Sequence, residues 1–135
     1  MLTLSDRPLE VGEAWDLSYK RTVIAPSWEQ AQLLLSTIGP RTTAAGLGLA
    51  DARQVKAWVR EESGPREHPV AGRLALLCRM TLALRSVYSP ATVGLFLRSS
   101  NPQLDDGVPL LVLRDGDPDV IQGRLLAATR AFLEG

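Results

Sequence analysis

Hydrophobic residues recur at helical spacing along most of the chain after residue 26. In the first such stretch, Ser27 and Gln30 stand in the order of a capping box, in which each side chain bonds a backbone amide at the start of a helix. The apolar positions that follow share one helical face: Ala31, Leu34, Leu35 and Ile38. Gly39 and Pro40 are predicted to end this helix.

The segment before this helix shows no clean period. Pro8 and Gly12 interrupt the pattern, so residues 1–26 are predicted only as an N-terminal arm of unclear structure. Trp15 and Tyr19 are expected to anchor part of this arm on the body of the protein, because large aromatic side chains gain most from burial.

Residues 41–60 predict two short helices joined by a tight turn. The second helix is expected to begin after Asp51, whose carboxylate is placed to cap it, and to bury Trp58. Its opposite face carries cationic and amide side chains: Arg53, Gln54, Lys56 and Arg60. Ala45 is the small residue expected where the two helices cross, and Leu49 occupies a turn position where glycine is common.

Four further helices are predicted downstream. The first of these, a long helix, covers residues 70–88. Apolar residues lie on most sides of this helix, which favours either a central helix or a dimer interface. Ser89 and Pro90 are the expected N-cap and first position of the next helix, and Pro109 opens a short one. Asp117 opens the last helix, whose expected buried stripe is Ile121, Leu125, Ala128 and Phe132. No segment alternates like a strand, so the fold class is predicted to be all-α.

Composition changes this picture only in part. The chain has 135 residues, of which 45% are apolar, and its formal net charge of zero excludes a uniformly basic nucleic-acid coat. Its one cysteine, Cys78, lies in an apolar run and is predicted to be buried. The start of the chain lacks a signal-peptide pattern and no apolar run reaches about 18 residues, so a cytoplasmic protein without a membrane span is expected.

Patterns for catalysis or metal binding are weak. Three acids have the spacing that begins a calcium loop: Asp115, Asp117 and Asp119. Val120 and Leu126 occupy the loop positions that need glycine and glutamate. The only histidine, His68, has no credible nucleophile beside it. The chain is therefore expected not to be an enzyme, and to need no cofactor, metal or small-molecule substrate.

The helix pair within residues 27–69 has the pattern of a helix-turn-helix, whose second helix lies in the major groove of DNA. Arginine and glutamine read guanine and adenine edges, while lysine and hydroxyl groups bind phosphates. The predicted DNA contacts are Thr42, Thr43, Arg53, Gln54, Lys56 and Arg60. Short amphipathic helices with basic outer faces also occur in proteins that never bind DNA.

The stretch FLRSSNPQLDDGVPLLVLRDG resembles the toxin-binding domain of the Xre/MbcA/ParS-type antitoxins. An aromatic-led helix, an Asn-Pro step, a glycine turn and a proline-led helix occur in the same order. The matching positions are Phe96, Asn101, Pro102, Leu104, Gly107, Pro109, Leu110, Leu113 and Gly116. With the upstream helix-turn-helix, the resemblance covers roughly residues 27–135. Val108 departs from the family, which has a hydroxyl cap there.

The resemblance implies a type II antitoxin that binds and neutralises a RES-domain toxin, an enzyme that degrades NAD, and that represses its own operon as a homodimer on operator DNA. The implied plan is a helix-turn-helix domain at 27–69, a central or dimerisation helix at 70–88 and a toxin-binding domain at 89–135. The expected toxin contacts are Ser99, Ser100, Asn101, Gln103, Asp105, Arg124, Arg130, Phe132 and Glu134.

Two other functions fit the same residues. One is a stand-alone helix-turn-helix transcription regulator without a toxin. The other is a protein-interaction module whose helix-turn-helix no longer binds DNA.

Overall fold

The structure, a computed structural model, describes residues 10–135, which form eight α-helices and one short 3₁₀-helix. The α-helices are α1 (Val11–Ile24), α2 (Ser27–Thr37), α3 (Gly39–Leu47), α4 (Arg53–Glu61), α5 (His68–Arg85), α6 (Pro90–Arg98), α7 (Pro109–Asp115) and α8 (Pro118–Glu134). The 3₁₀-helix Pro102–Leu104 lies between α6 and α7, and no β-strand occurs among these residues. The predicted all-α class is therefore confirmed for them, and none of their helices is long and apolar enough to cross a membrane.

Helix α5 lies at the centre of the fold and packs against α1, α2, α3, α6, α7 and α8. Its buried apolar residues face all of these neighbours: Leu74, Leu76, Leu77, Cys78, Met80, Ala83 and Leu84. The apolar residues of α5 are thus covered within one chain, chiefly by α1, α2 and α8. Of the two alternatives that the sequence left open for residues 70–88, the structure therefore favours the central helix.

Helix α1 occupies most of the described part of the N-terminal arm, for which the sequence predicted no element, and residues 1–9 of that arm lie outside the described residues. Its buried residues are small or hydroxylated, namely Ala14, Ser18 and Thr22, so it has no apolar stripe for a periodicity argument to find. The Ser18 and Thr22 hydroxyls donate to the carbonyls of Trp15 and Ser18, at 2.7 and 2.8 Å. These bonds within the helix let both hydroxyls be buried without losing a partner.

Cation–π contacts between Arg79 of α5 and two aromatic rings of α1 hold these helices together. The guanidinium carbon of Arg79 lies 5.0 Å from the centre of the Trp15 ring and 4.8 Å from that of Tyr19. The Arg79 Nε atom is buried without a hydrogen-bond partner, and burial lowers the pKa of this arginine. The two aromatic faces provide the attraction that offsets part of this desolvation. Both aromatic residues thus contact the body of the protein, as the sequence predicted.

The start of α2 differs from the predicted capping box. Pro26 occupies the N-cap, Ser27 is already helical, and the side chain of Ser27 caps nothing. Gln30 instead donates its amide to the carbonyl oxygens of Thr22 and Ala25, at 3.0 and 3.4 Å. Gln30 therefore satisfies the last turn of α1, and the capping-box prediction was wrong.

The later helix starts follow the prediction. Ser89 Oγ accepts from the backbone amide of Thr92 at 3.3 Å, and Asp117 Oδ1 accepts from that of Asp119 at 2.9 Å. Each of these caps precedes a proline at the first helical position. Val108, before α7, makes no side-chain cap.

One position of the predicted stripe on α8 was wrong. Leu125 and Ala128 are buried, but Phe132 is 37% exposed and Leu133 takes the buried place beside it. The Phe132 ring lies at the edge of the core, with its centre 4.9 Å from that of Tyr88 and 4.8 Å from that of Phe96. Phe132 is therefore accessible from outside as well as packed.

The buried thiol of Cys78 makes the stability of the fold sensitive to alkaline pH. Burial raises the pKa of Cys78 from 9.0 to about 11. The folded state therefore favours the protonated thiol, so this contribution is complete below pH 9.0 and is lost as the pH rises towards 11.

Between pH 8 and 10.5, the free energy of unfolding should fall by about 2 kcal/mol more for the wild type than for Cys78→Ala. Urea melts of both proteins at the two pH values measure this difference, and tyrosine or lysine titration cancels between them. An equal fall in both proteins would contradict the assignment to Cys78.

Candidate nucleic-acid interface and partner surface

Helices α2, α3 and α4 form a three-helix unit in which α2 packs against the other two. Helix α3 ends in a Schellman motif: the Leu49 amide donates to the Ala44 carbonyl at 3.0 Å, and the Gly48 amide donates to the Ala45 carbonyl at 3.2 Å. Gly48 has a φ of +76°, so it provides the left-handed conformation of the turn. Leu49 itself has no positive φ, so its place in the turn causes no strain.

Helix α3 lies close to α5 and α7 at Gly46. A Cβ atom added to Gly46 would stand 2.8 Å from Leu110 Cδ1 and 3.2 Å from Leu77 Cδ2. A side chain at position 46 would therefore force these leucine side chains of α7 and α5 to shift. Ala45, predicted to lie where α3 and α4 cross, is half-buried and lines the groove between α3 and the start of α4.

Helix α4 is held by Val55 and Trp58, which are buried as predicted. Its start differs from the prediction, because Ala52 and not Asp51 occupies the N-cap. The Asp51 carboxylate still accepts from the Arg53 amide at 2.9 Å and so orders the turn before the helix. The outward face of α4 consists of five exposed side chains: Arg53, Gln54, Lys56, Arg60 and Glu61. Arg60 Nη2 lies 3.6 Å from Glu61 Oε1 in a solvent-exposed ion pair.

The Arg53 side chain is oriented by an ion pair. Its Nη2 and Nε atoms lie 2.7 and 3.0 Å from Asp51 Oδ2. The hydrogen bond from the Arg53 side chain, followed by that from its backbone amide, lowers the pKa of Asp51. Because both side chains are exposed, the pair is screened by solvent, and the guanidinium can exchange Asp51 for another acceptor.

The two threonines predicted as DNA contacts are not at the surface. Thr42 and Thr43 are both buried, and Thr43 Oγ1 donates to the Gly39 carbonyl at 2.8 Å. Their placement at an exposed helix start was therefore wrong, because a hydroxyl can also be satisfied by its own helix. The neighbouring Arg41 is exposed, and with Lys56 it lines a groove of about 440 Å³ between α3 and the start of α4. Sequence reasoning missed Arg41, although its position beside two threonines at a helix start was visible.

The loop after α6 is ordered by its own hydrogen bonds. Ser99 Oγ donates to the Leu95 carbonyl at 2.6 Å, and Asn101 Oδ1 accepts from the Gln103 amide at 2.9 Å. The Asn101 amide donates to the Gly107 carbonyl at 2.9 Å and closes the loop. The side chains of Ser100 and Gln103 point outward and are exposed.

A groove of about 510 Å³ lies beside this loop, between α6 and the end of α8. It brings together five of the predicted toxin contacts: Ser99, Ser100, Asn101, Gln103 and Phe132. Tyr88 and Leu95 also line it, and Leu95 is 62% exposed. The groove therefore joins an apolar wall to a polar rim. We call it the α6–α8 groove.

The remaining predicted toxin contacts lie elsewhere. Arg124 Nη2 is 3.2 Å from Asp105 Oδ2, which ties α8 to the far side of the loop. Arg130 pairs with Glu134 at 2.9 Å, and its guanidinium carbon lies 5.6 Å from the centre of the Trp15 ring. Arg130 and Glu134 thus lie on the α1 side of α8, so the nine predicted residues do not form one continuous surface.

Arg73 links the turn before α4 to the end of α7. From the central helix α5, its Nε and Nη2 atoms each lie 3.1 Å from a carbonyl oxygen at the end of α7, those of Leu113 and Gly116. The turn at Gly48 packs beside the same place, since a Cβ added there would lie 3.7 Å from Arg114 Cγ and 3.9 Å from Arg73 Nη1. The turn before α4 and the end of α7 therefore share one arginine.

Gly48→Ala should lower the free energy of unfolding by about 1–2 kcal/mol, because alanine pays the steric cost of the left-handed conformation while its methyl group meets only ordinary contacts. The matched control is Gly123→Ala in α8, where φ is not positive and nothing lies within 4 Å of the added atom. That variant should gain about 0.5–1 kcal/mol. Thermal melts of both measure the pair, and a Gly48→Ala protein as stable as the wild type would contradict the turn geometry.

Comparisons with protein-family models, with curated proteins and with solved structures found no match to this chain. The resemblance to the Xre/MbcA/ParS-type antitoxins therefore rests on the residues of this chain alone, chiefly on the order of features between Phe96 and Gly116.

Proposed function

We propose that this protein is a DNA-binding antitoxin that neutralises a RES-domain toxin and represses its own operon. The observation that carries the proposal is the outward face of α4. Its cationic and amide side chains stand free of the core on a short helix that follows a tight turn.

The chemistry of that face suits the major groove. Arg53 offers a bidentate donor pair for guanine, and Gln54 offers the donor and acceptor that adenine requires. Lys56 and Arg60, together with Arg41 across the groove between α3 and α4, are placed to neutralise phosphates. Thr42 and Thr43 have no part in this interface, because they are buried.

The antitoxin half of the proposal rests on the resemblance, and the α6–α8 groove supports it. A polar rim around an apolar wall is the usual composition of a protein-binding site. The groove lies between α6 and α8, whereas α4 packs on α2, so the two surfaces are built from different helices. One molecule could therefore hold DNA and toxin at the same time.

The variant Arg53→Ala/Lys56→Ala should weaken binding to the protein's own upstream DNA by about 10- to 100-fold, because a base contact and a phosphate contact are both lost. Arg85→Ala/Arg98→Ala removes the same charge from exposed positions of α5 and α6 and should bind DNA almost like the wild type. Gel shifts at two salt concentrations compare them. Equal loss in both variants would reduce the effect to net charge and contradict recognition by α4.

The toxin test uses substitutions, because removing residues 131–135 would delete the buried Leu133 and the Phe132 carbonyl that accepts from the Tyr88 hydroxyl. Ser100→Arg/Gln103→Arg should weaken toxin binding at least about tenfold and abolish rescue of cells on co-expression, since two bulky charges would block the rim of the groove. Operator binding should be retained.

The control Val120→Arg/Gln122→Arg adds the same charge to exposed positions near the start of α8 and should rescue fully. Full rescue by the Ser100→Arg/Gln103→Arg variant would exclude the α6–α8 groove. Wild-type protein that binds its upstream DNA but rescues no cell from the neighbouring toxin would favour the stand-alone regulator. Rescue without DNA binding would favour the interaction module.

A further inference from the structure

A second apolar groove lies between α1 and α2, with α5 beneath it. It has a volume of about 530 Å³, with Arg21 and Ile24 on the α1 side, Glu29 and Leu33 on the α2 side, and Leu82 of α5 in its floor. Ile24 is 79% exposed, more than any other large hydrophobic side chain of residues 10–135. An isoleucine left this open beside an apolar groove is typical of an unoccupied interface.

Helix α1 presents a ridge next to this groove. Leu17, Arg21 and Ile24 recur at spacings of four and three residues, so they lie on one side of the helix, and all three are exposed. The ridge and the groove therefore lie side by side on one face of the molecule. A partner that offers an identical face could place its ridge in this groove while receiving this ridge in its own.

The charges of the face are self-complementary. Arg21 and Glu29 stand on opposite walls of the groove, and neither forms an ion pair with another residue in the part of the chain that the structure describes. In a dimer with two-fold symmetry, a contact between one residue and another occurs twice. Each Arg21 would meet the Glu29 of the other copy, so opposite charges would meet at both ends of the interface.

We infer that the α1–α2 groove is the site where a second copy of this chain docks. The inference deepens the proposed function, since a DNA-binding dimer places one α4 on each half-site, but its test does not involve DNA. It also places the dimer contact away from α5, which one chain already covers, on a face whose most exposed hydrophobic residue is Ile24.

Sedimentation of the full-length chain between about 1 and 100 μM tests the inference, a range in which typical homodimers dissociate or persist. The wild type should be a dimer at the upper end, and Ile24→Glu should be a monomer at every concentration. Val120→Glu, which alters a residue 75% exposed on α8, should dimerise like the wild type. Circular dichroism should show equal helix content in all three proteins. A monomeric wild type, or an Ile24→Glu protein that still dimerises, would overturn the inference.

Charge reversal tests the two-fold pairing itself. Arg21→Glu and Glu29→Arg should each raise the dimer dissociation constant at least about tenfold, because like charges then meet twice. The double variant Arg21→Glu/Glu29→Arg should return to within about threefold of the wild type. Failure of the double variant to recover would overturn the pairing. A wild type that is monomeric but still binds its upstream DNA would reject this interface while leaving the proposed function intact.

Discussion

The burial of α5 among six other helices is the constraint on which the rest of the structure depends. Leu77 shows why: it is fully buried, and a Cβ atom added to Gly46 of α3 would lie 3.2 Å from its Cδ2 atom. The same glycine faces Leu110 of α7, so one small residue lets α3, α5 and α7 lie close together. A larger side chain there would force these buried leucines to shift.

This packing joins the two candidate surfaces into one body. The outward face of α4 depends on the turn at Gly48, and that turn rests beside Arg73 and the end of α7. Helix α7 in turn precedes α8, which forms one wall of the α6–α8 groove. A change at the groove that moved α7 would therefore reach the turn before α4 through direct contacts, without a flexible linker between them.

The sequence predicted the elements whose ends carry strong local chemistry. Ser89 with Pro90 and Asp117 with Pro118 mark their helix starts by a cap and a proline, and both were confirmed. Helix α1 could not be predicted in this way. Its buried residues, Ala14, Ser18 and Thr22, are small or hydroxylated and so form no apolar stripe. Thr43 was wrongly predicted to be exposed for a similar reason. The sequence pattern does not distinguish a hydroxyl that donates to its own helix from one that is free to bind a phosphate. Within the candidate site, the exposed face of α4 could be predicted from its period, but the α6–α8 groove could not, because it arises only when distant helices pack together.

In the proposed complex, the outward face of α4 binds DNA while the α6–α8 groove stays free. Amide chemical shifts of the isotope-labelled 135-residue protein, recorded as a duplex from its own upstream region is added, map the residues that DNA contacts. Binding through α4 should change the shifts along α3, the turn at Gly48 and α4, and leave those of Ser100 and Gln103 unchanged. Changes centred on the α6–α8 groove, or no changes at low salt, would contradict it.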